Sequence, residues 1–410
     1  MRKTERDLEK GLYFVHSYYL NKFVDDYHLL EADQDIITGK RNQMILLKDS
    51  MDDLYSAEAF DVNLEEIGID DMTFPEGTFV YYNPDAENRR NRFQSAENYP
   101  TAIMYTEVNR QLTRVISYEN YGNRPKKIEG AISDVHSYHV HIGHGNCSII
   151  VFKNEEKYQM WMIDCSVFDF TNRYNYSSNL KKCLSDIKKQ FQVDKISKLL
   201  VTHLHYDHIN GIEYLIKKEW MDEETEVWMN TQYPWKTGTC NRILSQLHAL
   251  GVRFIDPIVA NSTEHIQILY PYISFNQNNV APRNNINNAS VLYQVFLGEK
   301  NMLFTGDLET EGWNAVVRCY PNLRDTTYYC ISHHGSINGD IRTNCLKSYG
   351  ITSLSQCTKN TKRQLILGRD GAYKGIFNPA VVSRYRNILR TEEGEHYIEI
   401  IWSTDTVNKK

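Results

Sequence analysis

The chain has 410 residues, a formal net charge of −6, 41% hydrophobic residues and 24% charged residues, close to the composition of an ordinary soluble protein. This mild negative charge argues against binding nucleic acid through bulk charge alone, although it permits a local basic groove. No apolar run approaches the roughly 20 residues that a membrane span requires, and the charged N-terminus does not have the pattern of a signal peptide. We therefore expect a cytoplasmic protein with no membrane partner.

The first third of the chain contains no chemical motif. Apolar residues recur there at spacings of three and four, which predicts an amphipathic N-terminal helix: Leu8, Leu12, Val15, Tyr19 and Phe23. The segment Phe79–Tyr82 predicts a strand, which ends at Asn83-Pro84. We predict an N-terminal α+β extension of unknown role over residues 1–130, followed by a domain over residues 131–410 that carries the chemistry.

In the second domain, strand patterns alternate with helix patterns. The predicted strands are 148–152, 158–163, 195–201, 291–296, 301–305 and 326–331. The first two strands predict one hairpin, and the strands at 291–296 and 301–305 predict another. Helices are predicted over residues 180–191 and 212–216. This alternation is typical of an α/β fold in which helices lie outside the sheet.

A dense cluster of histidines follows the strand at 195–201. Residues 202–208 read Thr-His-Leu-His-Tyr-Asp-His, an H-x-H-x-D-H pattern that combines His203, His205, Asp207 and His208. Neutral imidazole is a ligand for zinc and related metals, and carboxylates bind harder ions, so the cluster predicts a site for one or two divalent cations. A polar loop whose histidines only cap neighbouring elements is the alternative.

Further candidate ligands stand at the ends of other predicted strands. Asp164 closes the strand at 158–163, and Asp307 follows Thr305-Gly306 after the strand at 301–305. His333 and His334 follow the strand at 326–331. Because adjacent residues in extended backbone point to opposite sides, we expect only one of these two histidines to bind metal and the other to contact substrate or a ligand.

Together these motifs resemble the metallo-β-lactamase superfamily, and in particular its branch related to the hydrolase domain of the competence protein ComEC. The resemblance covers residues 135–385 and includes five motifs in order: Gly143-His144-Gly145-Asn146, the H-x-H-x-D-H loop, Asn288-Ala289-Ser290, Thr305-Gly306-Asp307 and His333-His334-Gly335-Ser336. It implies an αββα sandwich with two divalent metal ions at one edge, zinc first and manganese as the alternative.

The resemblance also implies roles for individual residues. His203, His205 and a late histidine would bind the first metal, Asp207 and His208 the second, and Asp307 would bridge them. Asp164 would orient a ligand, as outer-sphere carboxylates do. Residues expected to support the ligands or contact substrate are His144, Asn146, Asn288, Ser290, Ser336 and Asn378.

Two positions depart from the pattern of the superfamily. Many relatives have a further histidine between the histidine loop and the bridging aspartate, whereas here only His248 and His265 intervene, and neither follows a clear strand end. Asn288 is the candidate for that corner. Relatives often carry a late His-Pro pair, and Asn378-Pro379 stands in its place here. These departures leave the coordination of one metal and the identity of the substrate open.

The leading functional hypothesis is hydrolysis of phosphodiesters, by a nuclease or nucleotide phosphodiesterase, with Asp207 and His208 in catalytic roles. The alternatives are hydrolysis of a lactone, thioester or choline-phosphate ester, and a signalling or defence effector whose residues 1–130 bind a protein partner. Two basic segments would either follow a phosphate backbone or form a solvated face: Lys359, Lys362 and Arg363, and Arg384-Tyr385-Arg386. The histidine-rich run at 136–141 has no nearby acidic or cysteine partner in sequence, and we expect no metal there.

Overall fold

The computed structural model describes these residues: 3–19, 43–48, 58–68, 74, 79–96, 125–169, 172, 174–230, 238–257, 262–270, 286–309, 312–313, 316, 326–339, 361–371 and 375–410. They form a six-stranded N-terminal sheet and a sandwich of an eight-stranded and a six-stranded sheet flanked by helices. No helix within these ranges is long and apolar enough to cross a membrane.

The N-terminal sheet has six strands in the order β1-β4-β3-β2-β5-β6. Its elements are β1 (Lys3–Thr4), β2 (Gly11–Tyr19), β3 (Gln43–Lys48), β4 (Glu58–Asn63), helix α1 (Leu64–Ile67), β5 (Phe79–Tyr82) and β6 (Phe93–Ser95). Tyr13, Phe60 and Val80 bury their side chains in its core. The predicted strand at Phe79–Tyr82 and the α+β character of this region are confirmed.

The predicted N-terminal helix is wrong. Residues Gly11–Tyr19 form strand β2, which pairs with β3 and β5 on either side. Tyr13 and Val15 are buried two residues apart, which is the period of a strand. Aromatic and β-branched residues favour a pleated surface, and pairing with two neighbours overrides a weak helical spacing. Phe23 lies outside the described residues.

The sandwich contains sixteen strands and five helices among the described residues. The strands are β7 (Ile132–Val140), β8 (Cys147–Asn154), β9 (Lys157–Cys165), β10 (Phe168–Asp169), β11 (Tyr174–Asn175), β12 (Lys198–Leu200), β13 (Glu226–Trp228), β14 (Arg253–Ile255), β15 (Ile266–Tyr270), β16 (Leu292–Leu297), β17 (Lys300–Phe304), β18 (Tyr328–Cys330), β19 (Arg363–Ile366), β20 (Ile388–Arg390), β21 (Tyr397–Ile401) and β22 (Thr406–Lys409). The helices are α2 (Ser177–Phe191), α3 (Tyr206–Ile209), α4 (Ile212–Lys217), α5 (Gly238–Leu250) and α6 (Pro379–Val382).

These strands form two main sheets. One has the order β14-β13-β12-β9-β8-β7-β21-β22 and the other β15-β16-β17-β18-β19-β20, while β10 and β11 pair separately. Both predicted hairpins are confirmed, since β8 pairs antiparallel with β9 and β16 with β17. Strands β9, β12, β13 and β14 run parallel, as do β17, β18, β19 and β20. Parallel neighbours end at the same edge of a sheet, and the candidate ligands follow these ends.

Three apolar layers hold the sandwich together. Between the sheets, Trp161 and Ile150 of the first sheet pack with Tyr293 and Phe304 of the second. Outside the first sheet, α2, α4 and α5 bury their apolar faces, and outside the second sheet lies a cluster that includes Val381 of α6. The order of layers is helix, sheet, sheet, helix, which confirms the predicted αββα sandwich.

The division between the two regions stays a prediction. Lys126 precedes the predicted boundary at residue 130, yet its backbone N–H donates to the carboxylate of Glu226 in β13. Lys198 of β12 also contacts that carboxylate and lies over the rings of Trp161 and Trp228. The segment before β7 is thereby attached at the amino ends of β12 and β13, the edge opposite the histidine loop.

The histidines of β7 serve the packing of the sheet. His139 is fully buried with its ring nitrogens beside the hydroxyls of Ser148 and Ser137, at 2.9 Å and 3.3 Å. The ring nitrogens of His136 face Glu399 at 3.0 Å and Asp134 at 3.1 Å. The expectation that this run has no nearby acidic partner is therefore wrong: Asp134 is two residues away in the sequence, and Glu399 is brought close by the pairing of β7 with β21. Tyr138 and Asn408 also donate to Glu399, which joins β7, β21 and β22.

We expect Glu399→Gln to lower the free energy of unfolding by about 2–4 kcal/mol. Burial opposes the charge of Glu399, but the donors around it lower its pKa to about 2, and the facing carboxylates raise the pKa of His136. The ionised Glu399 stabilises the fold above the pKa that it has in the unfolded chain, and this stabilisation is lost as the pH falls towards about 2. The protonated His136 stabilises the fold below about pH 6.5, and this stabilisation declines as the pH rises. The gap in melting temperature between the wild type and E399Q should be largest at about pH 5.5.

Thermal melts between about pH 4 and pH 8 test this expectation. Glu393→Gln is the matched control, since Glu393 makes a partly exposed pair with Lys409 and should change the melting temperature little. Equal losses for E399Q and E393Q at every pH would contradict the role assigned to Glu399.

Candidate metal centre

Four chain segments bring acidic and imidazole side chains to one edge of the sandwich. Asp164 lies near the end of β9, the histidine loop follows β12, Asp307 follows β17, and His334 follows β18. The loop turns sharply because His205 is extended and the short helix α3 begins at Tyr206, which places Asp207 and His208 inside. These side chains are buried: His203, His205, Asp207, His208, Asp307 and His334.

One set of four donors could hold a metal ion. Asp207, His208, Asp307 and His334 each offer a ligand atom, and these atoms lie within 4.8 Å of one another. His208 Nε2 is 3.4 Å from Asp307 Oδ1, and His334 Nε2 is 3.4 Å from Asp207 Oδ2 and 3.5 Å from Asp307 Oδ2.

A second set of three donors shares Asp307 with the first. His203, His205 and Asp307 offer ligand atoms within 4.8 Å of one another. His203 Nε2 lies 3.0 Å from His205 Nδ1 and 3.9 Å from Asp307 Oδ2. A carboxylate common to two adjacent donor sets is the arrangement expected of a bridging ligand.

The residues fit divalent cations. His208 Nε2, His334 Nε2 and Asp307 Oδ1 are buried without a hydrogen-bond partner among the described residues, an expensive state for polar atoms unless a ligand satisfies them. Their separations of 3.4–3.5 Å exceed a good hydrogen bond. They match the roughly 3.4 Å between two ligands that each lie about 2.1 Å from a tetrahedral ion. The imidazole and carboxylate set suits zinc, with manganese as the harder alternative.

Neighbouring groups fix the orientation of the imidazoles. Asp164 Oδ2 lies 2.8 Å from His208 Nδ1 and also accepts from the Thr202 hydroxyl at 2.7 Å, while its Oδ1 accepts from the Thr202 N–H at 2.7 Å. The Leu367 carbonyl lies 2.7 Å from His334 Nδ1. Each contact directs the Nε2 atom of its histidine towards the carboxylates, which is the arrangement expected around a bound metal.

The charges of the site are strongly coupled. Burial opposes ionisation of Asp207 and Asp307, but the surrounding imidazoles, His208 foremost for Asp207 and His334 foremost for Asp307, hold both pKa values well below the usual range. Burial likewise opposes a charged His334, yet the two carboxylates raise its pKa to about 10. Burial and the neighbouring His208 hold the pKa of His203 well below its usual value. The carboxylates thus require nearby positive charge, and His203 is neutral, the form that binds metal.

Of the two late histidines, His334 belongs to a donor set. His333 belongs to neither donor set, and its Nδ1 lies 3.1 Å from Glu309 Oε1. Both residues have positive φ, near 50°, so the extended geometry assumed for them is wrong. The expected grouping is corrected too, because His334 lies with Asp207 and His208 rather than with His203 and His205.

The supporting residues lie around the centre in different roles. His144 Nε2 is 3.3 Å from Asp207 Oδ2, and the Asn146 N–H donates to the Asp207 carbonyl. The Ser290 hydroxyl accepts from the Asp307 N–H at 3.1 Å. Asn288 Oδ1 accepts from the N–H groups of Glu309 and Gly312, so it holds the loop after Asp307 and both lone pairs of that oxygen are used.

Two further predicted residues organise the segment after His334. The Ser336 hydroxyl donates to Asn338 and accepts from the Gly339 N–H. Asn378 caps α6 by accepting from the Ala380 N–H, and its backbone N–H donates to the Gly335 carbonyl. Asn378 Nδ2 is buried without a hydrogen-bond partner among the described residues, so a donor is available in this segment. The ligand and substrate roles of all these residues stay predictions.

Other candidates lie away from the centre. His248 is exposed in the last turn of α5, and His265 Nδ1 contacts the Phe296 carbonyl. Lys362 pairs with Asp405 at the amino end of β19, and Arg384 and Arg386 precede β20. Since β18, β19 and β20 are parallel and His334 follows β18, these basic residues occupy the opposite edge. Lys359 lies outside the described residues.

Sequence reasoning missed three contributors to the site. Thr202 holds Asp164, and the Leu367 carbonyl holds His334, as described above. Asp169 is fully buried and accepts from the His144 N–H at 2.9 Å. Thr202 adjoins the histidine loop and could have been considered, but the other two have no local signal, since they follow strands that only the fold brings to this edge.

Asp164→Asn is expected to weaken metal binding and turnover about 10–100-fold. An asparagine can keep the contact with the Thr202 N–H, but its amide group would donate to His208 Nδ1. The ring proton of His208 would then move to Nε2, the atom that faces the carboxylates, and Nε2 could no longer bind a cation. Competition with a chelator of known affinity measures the loss. Asp194→Asn is the control, because Asp194 is exposed and pairs only with Lys188 among the described residues; a comparable loss in D194N would contradict the prediction.

Comparison with known proteins agrees with this architecture. The family model of the metallo-beta-lactamase superfamily matches residues 162–227, the stretch that contains the histidine loop. No curated protein sequence matches the chain.

Solved structures with similarity to the chain are distant. The metallo-beta-lactamase fold protein YhfI from Bacillus subtilis is 10% identical, with 63% of this chain and 96% of that chain covered and a TM-score of 0.35. A diphosphatase from the PhnP family is 12% identical, with 49% and 74% covered and a TM-score of 0.25. CmlA, a diiron beta-hydroxylase from Streptomyces venezuelae, is 13% identical, with 63% and 50% covered and a TM-score of 0.31. Nothing about the substrate of this chain follows from likenesses at this level.

The match over residues 162–227 spans the end of β9, the histidine loop and β13, and so includes the core of the candidate centre. The αββα order of layers and the two donor sets around Asp307 extend the agreement to segments outside the match. Together these findings show that the chain has the layer order of the metallo-β-lactamase fold and that residues 162–227 are similar in sequence to that superfamily.

Proposed function

We propose that this protein is a metal-dependent hydrolase that cleaves phosphodiesters, as a nuclease or nucleotide phosphodiesterase. The observation that carries the proposal is the position of Asp307, which belongs to both donor sets. When bound, two divalent ions in such a site supply an activated water and neutralise charge on a phosphoryl group. Zinc is the metal favoured by the imidazoles, with manganese second.

The residues of the chain have distinct tasks in this proposal. Asp307 holds the two donor sets in one geometry, and Asp164 keeps His208 in the tautomer that leaves Nε2 open. Asp207 stays ionised, since its pKa is held well below the usual range, and an ionised carboxylate can accept a hydrogen bond that orients the attacking water. His144, whose Nε2 lies 3.3 Å from Asp207 Oδ2, is the residue that we propose contacts the substrate.

Two arginines lie at the rim of the centre, and each pairs with a carboxylate, Asp169 or Glu392. Arg369 follows β19 and Arg390 ends β20, the edge at which His334 also lies, and their side chains are 28% and 31% exposed. The resemblance to ComEC-like proteins in five motifs favours a nucleic acid or nucleotide over a lactone, thioester or choline-phosphate ester.

A substrate panel tests the proposal. Purified protein, loaded with zinc or manganese and with its metal content measured, is incubated with single-stranded DNA, duplex DNA, RNA and cyclic nucleotides, and in parallel with a lactone and a thioester. We expect metal-dependent turnover of at least one phosphodiester, and about 1,000-fold less with Asp307→Asn. Loaded protein that cleaves no phosphodiester, or that cleaves only the lactone or thioester, would refute the proposed substrate class.

A further inference from the structure

A partly buried ion pair, Asp169 and Arg369, lies next to the centre. Asp169 is fully buried at the end of β10, and Arg369 Nε lies 3.2 Å from its Oδ2. The same oxygen accepts from the His144 N–H at 2.9 Å, and Oδ1 accepts from the Asn172 N–H at 3.3 Å. A carboxylate is rarely buried to this extent without a structural or functional reason.

The turn that carries His144 rests on this carboxylate. Gly143 has a φ of +70°, and a Cβ added there would lie 2.5 Å from Asp169 Oδ2 and 2.6 Å from the ring of Tyr176. Only glycine therefore allows the turn to approach so closely. At the other end of the turn, His144 Nε2 lies 3.3 Å from Asp207 Oδ2. A shift of Asp169 would thus move His144 relative to the donor sets.

The partner of Asp169 comes from the loop that orients His334. The Leu367 carbonyl contacts His334 Nδ1 at 2.7 Å, and a Cβ added to Gly368 would lie 3.0 Å from the same nitrogen. Arg369 follows directly and reaches back to Asp169. The rings of His144 and His334 are 4.2 Å apart, so the ion pair joins the two segments that hold adjacent imidazoles.

We propose that Asp169 and Arg369 are positioning residues that act through His144, by holding its turn against the loop of His334. The kinetic test of this inference rests on the proposed function, whereas the hydrogen–deuterium exchange test does not. An ion pair with this geometry restricts the movement of both loops. This matters for catalysis because displacement of a group at a reacting centre by about 1 Å can reduce turnover up to about 100-fold.

The structural test is hydrogen–deuterium exchange of metal-loaded protein. In Asp169→Ala and Arg369→Met we expect the His144 amide, which donates to Asp169, to exchange at least about tenfold faster than in the wild type. Arg390→Met is the matched control, since Arg390 lies on the same rim but pairs with Glu392 at 3.6 Å, and it should leave this amide unchanged. Unchanged exchange in both test variants would overturn the proposal. R369M keeps the test valid should D169A fail to fold, because Arg369 is partly exposed.

The kinetic test uses non-additivity. With metal content equal to that of the wild type, R369M should lower kcat about tenfold, and R369K should recover part of the loss. His144→Ala should lower kcat as well, and R369M added to H144A should change kcat by less than about twofold, because the two residues act as a unit. Additive losses would overturn the proposal. A wild type that cleaves no phosphodiester would refute the proposed function alone, and the exchange experiment would still decide whether the ion pair positions His144.

Discussion

Asp307→Asn is expected to reduce turnover by about three orders of magnitude, a loss of about 4 kcal/mol in transition-state stabilisation. Asp307 is the one residue common to both donor sets, and its two oxygens face different imidazoles, His208 on one side and His203 and His334 on the other. An amide supplies one neutral oxygen in place of two charged ones, so it cannot serve both sets. The variant should also retain less than one equivalent of metal.

Steady-state assays with the best phosphodiester, together with elemental analysis, measure both effects. Asp194→Asn is the matched control, because it makes the same chemical change at an exposed site. A D307N protein that keeps two equivalents of metal and near-normal turnover would show that the centre is not built around a shared carboxylate.

Removal of metal is the second change with a large expected effect. Dialysis against a chelator should abolish turnover and lower the melting temperature, and zinc or manganese should restore both. A ligand present at about 1,000 times its dissociation constant stabilises the native state by about 4 kcal/mol, and here it would also relieve the charge imbalance among buried carboxylates and imidazoles. The pKa of His334, about 10, indicates how strongly these carboxylates attract positive charge.

Two controls make the experiment specific to the centre. The melting temperature of Asp307→Asn should respond little to added metal, since the shared ligand is missing. Elemental analysis of protein purified without a chelator gives the native metal, and two equivalents per chain would agree with two occupied donor sets. If the wild type and D307N gain the same stability from added metal, the ions bind elsewhere on the chain.

Much of the site could be predicted from sequence because its signals are local. The H-x-H-x-D-H pattern names four ligand candidates within six residues, and Asp164, Asp307 and His334 each stand near a strand end that apolar patterning predicts. Parallel strands end at the same edge of a sheet, so residues at these ends were expected to converge. The N-terminal helix was wrong because a spacing of three and four also occurs by chance in strands, and pairing with β3 and β5 decided the outcome.

What the sequence by itself determined is therefore the set of candidate metal ligands and the strand that precedes each of them, while the two-sheet α/β sandwich followed from the resemblance that its motifs carry. Only the tertiary structure decided that His334 and not His333 joins Asp207 and His208, that Asn288 supports the loop after Asp307, and that Asp169 reaches across to Arg369. The reason is physical. Whether a side chain can bind metal is a property of that side chain alone. Which ligands group together, which tautomer a histidine adopts and which charges pair depend on distances between residues that are up to 200 positions apart in the chain.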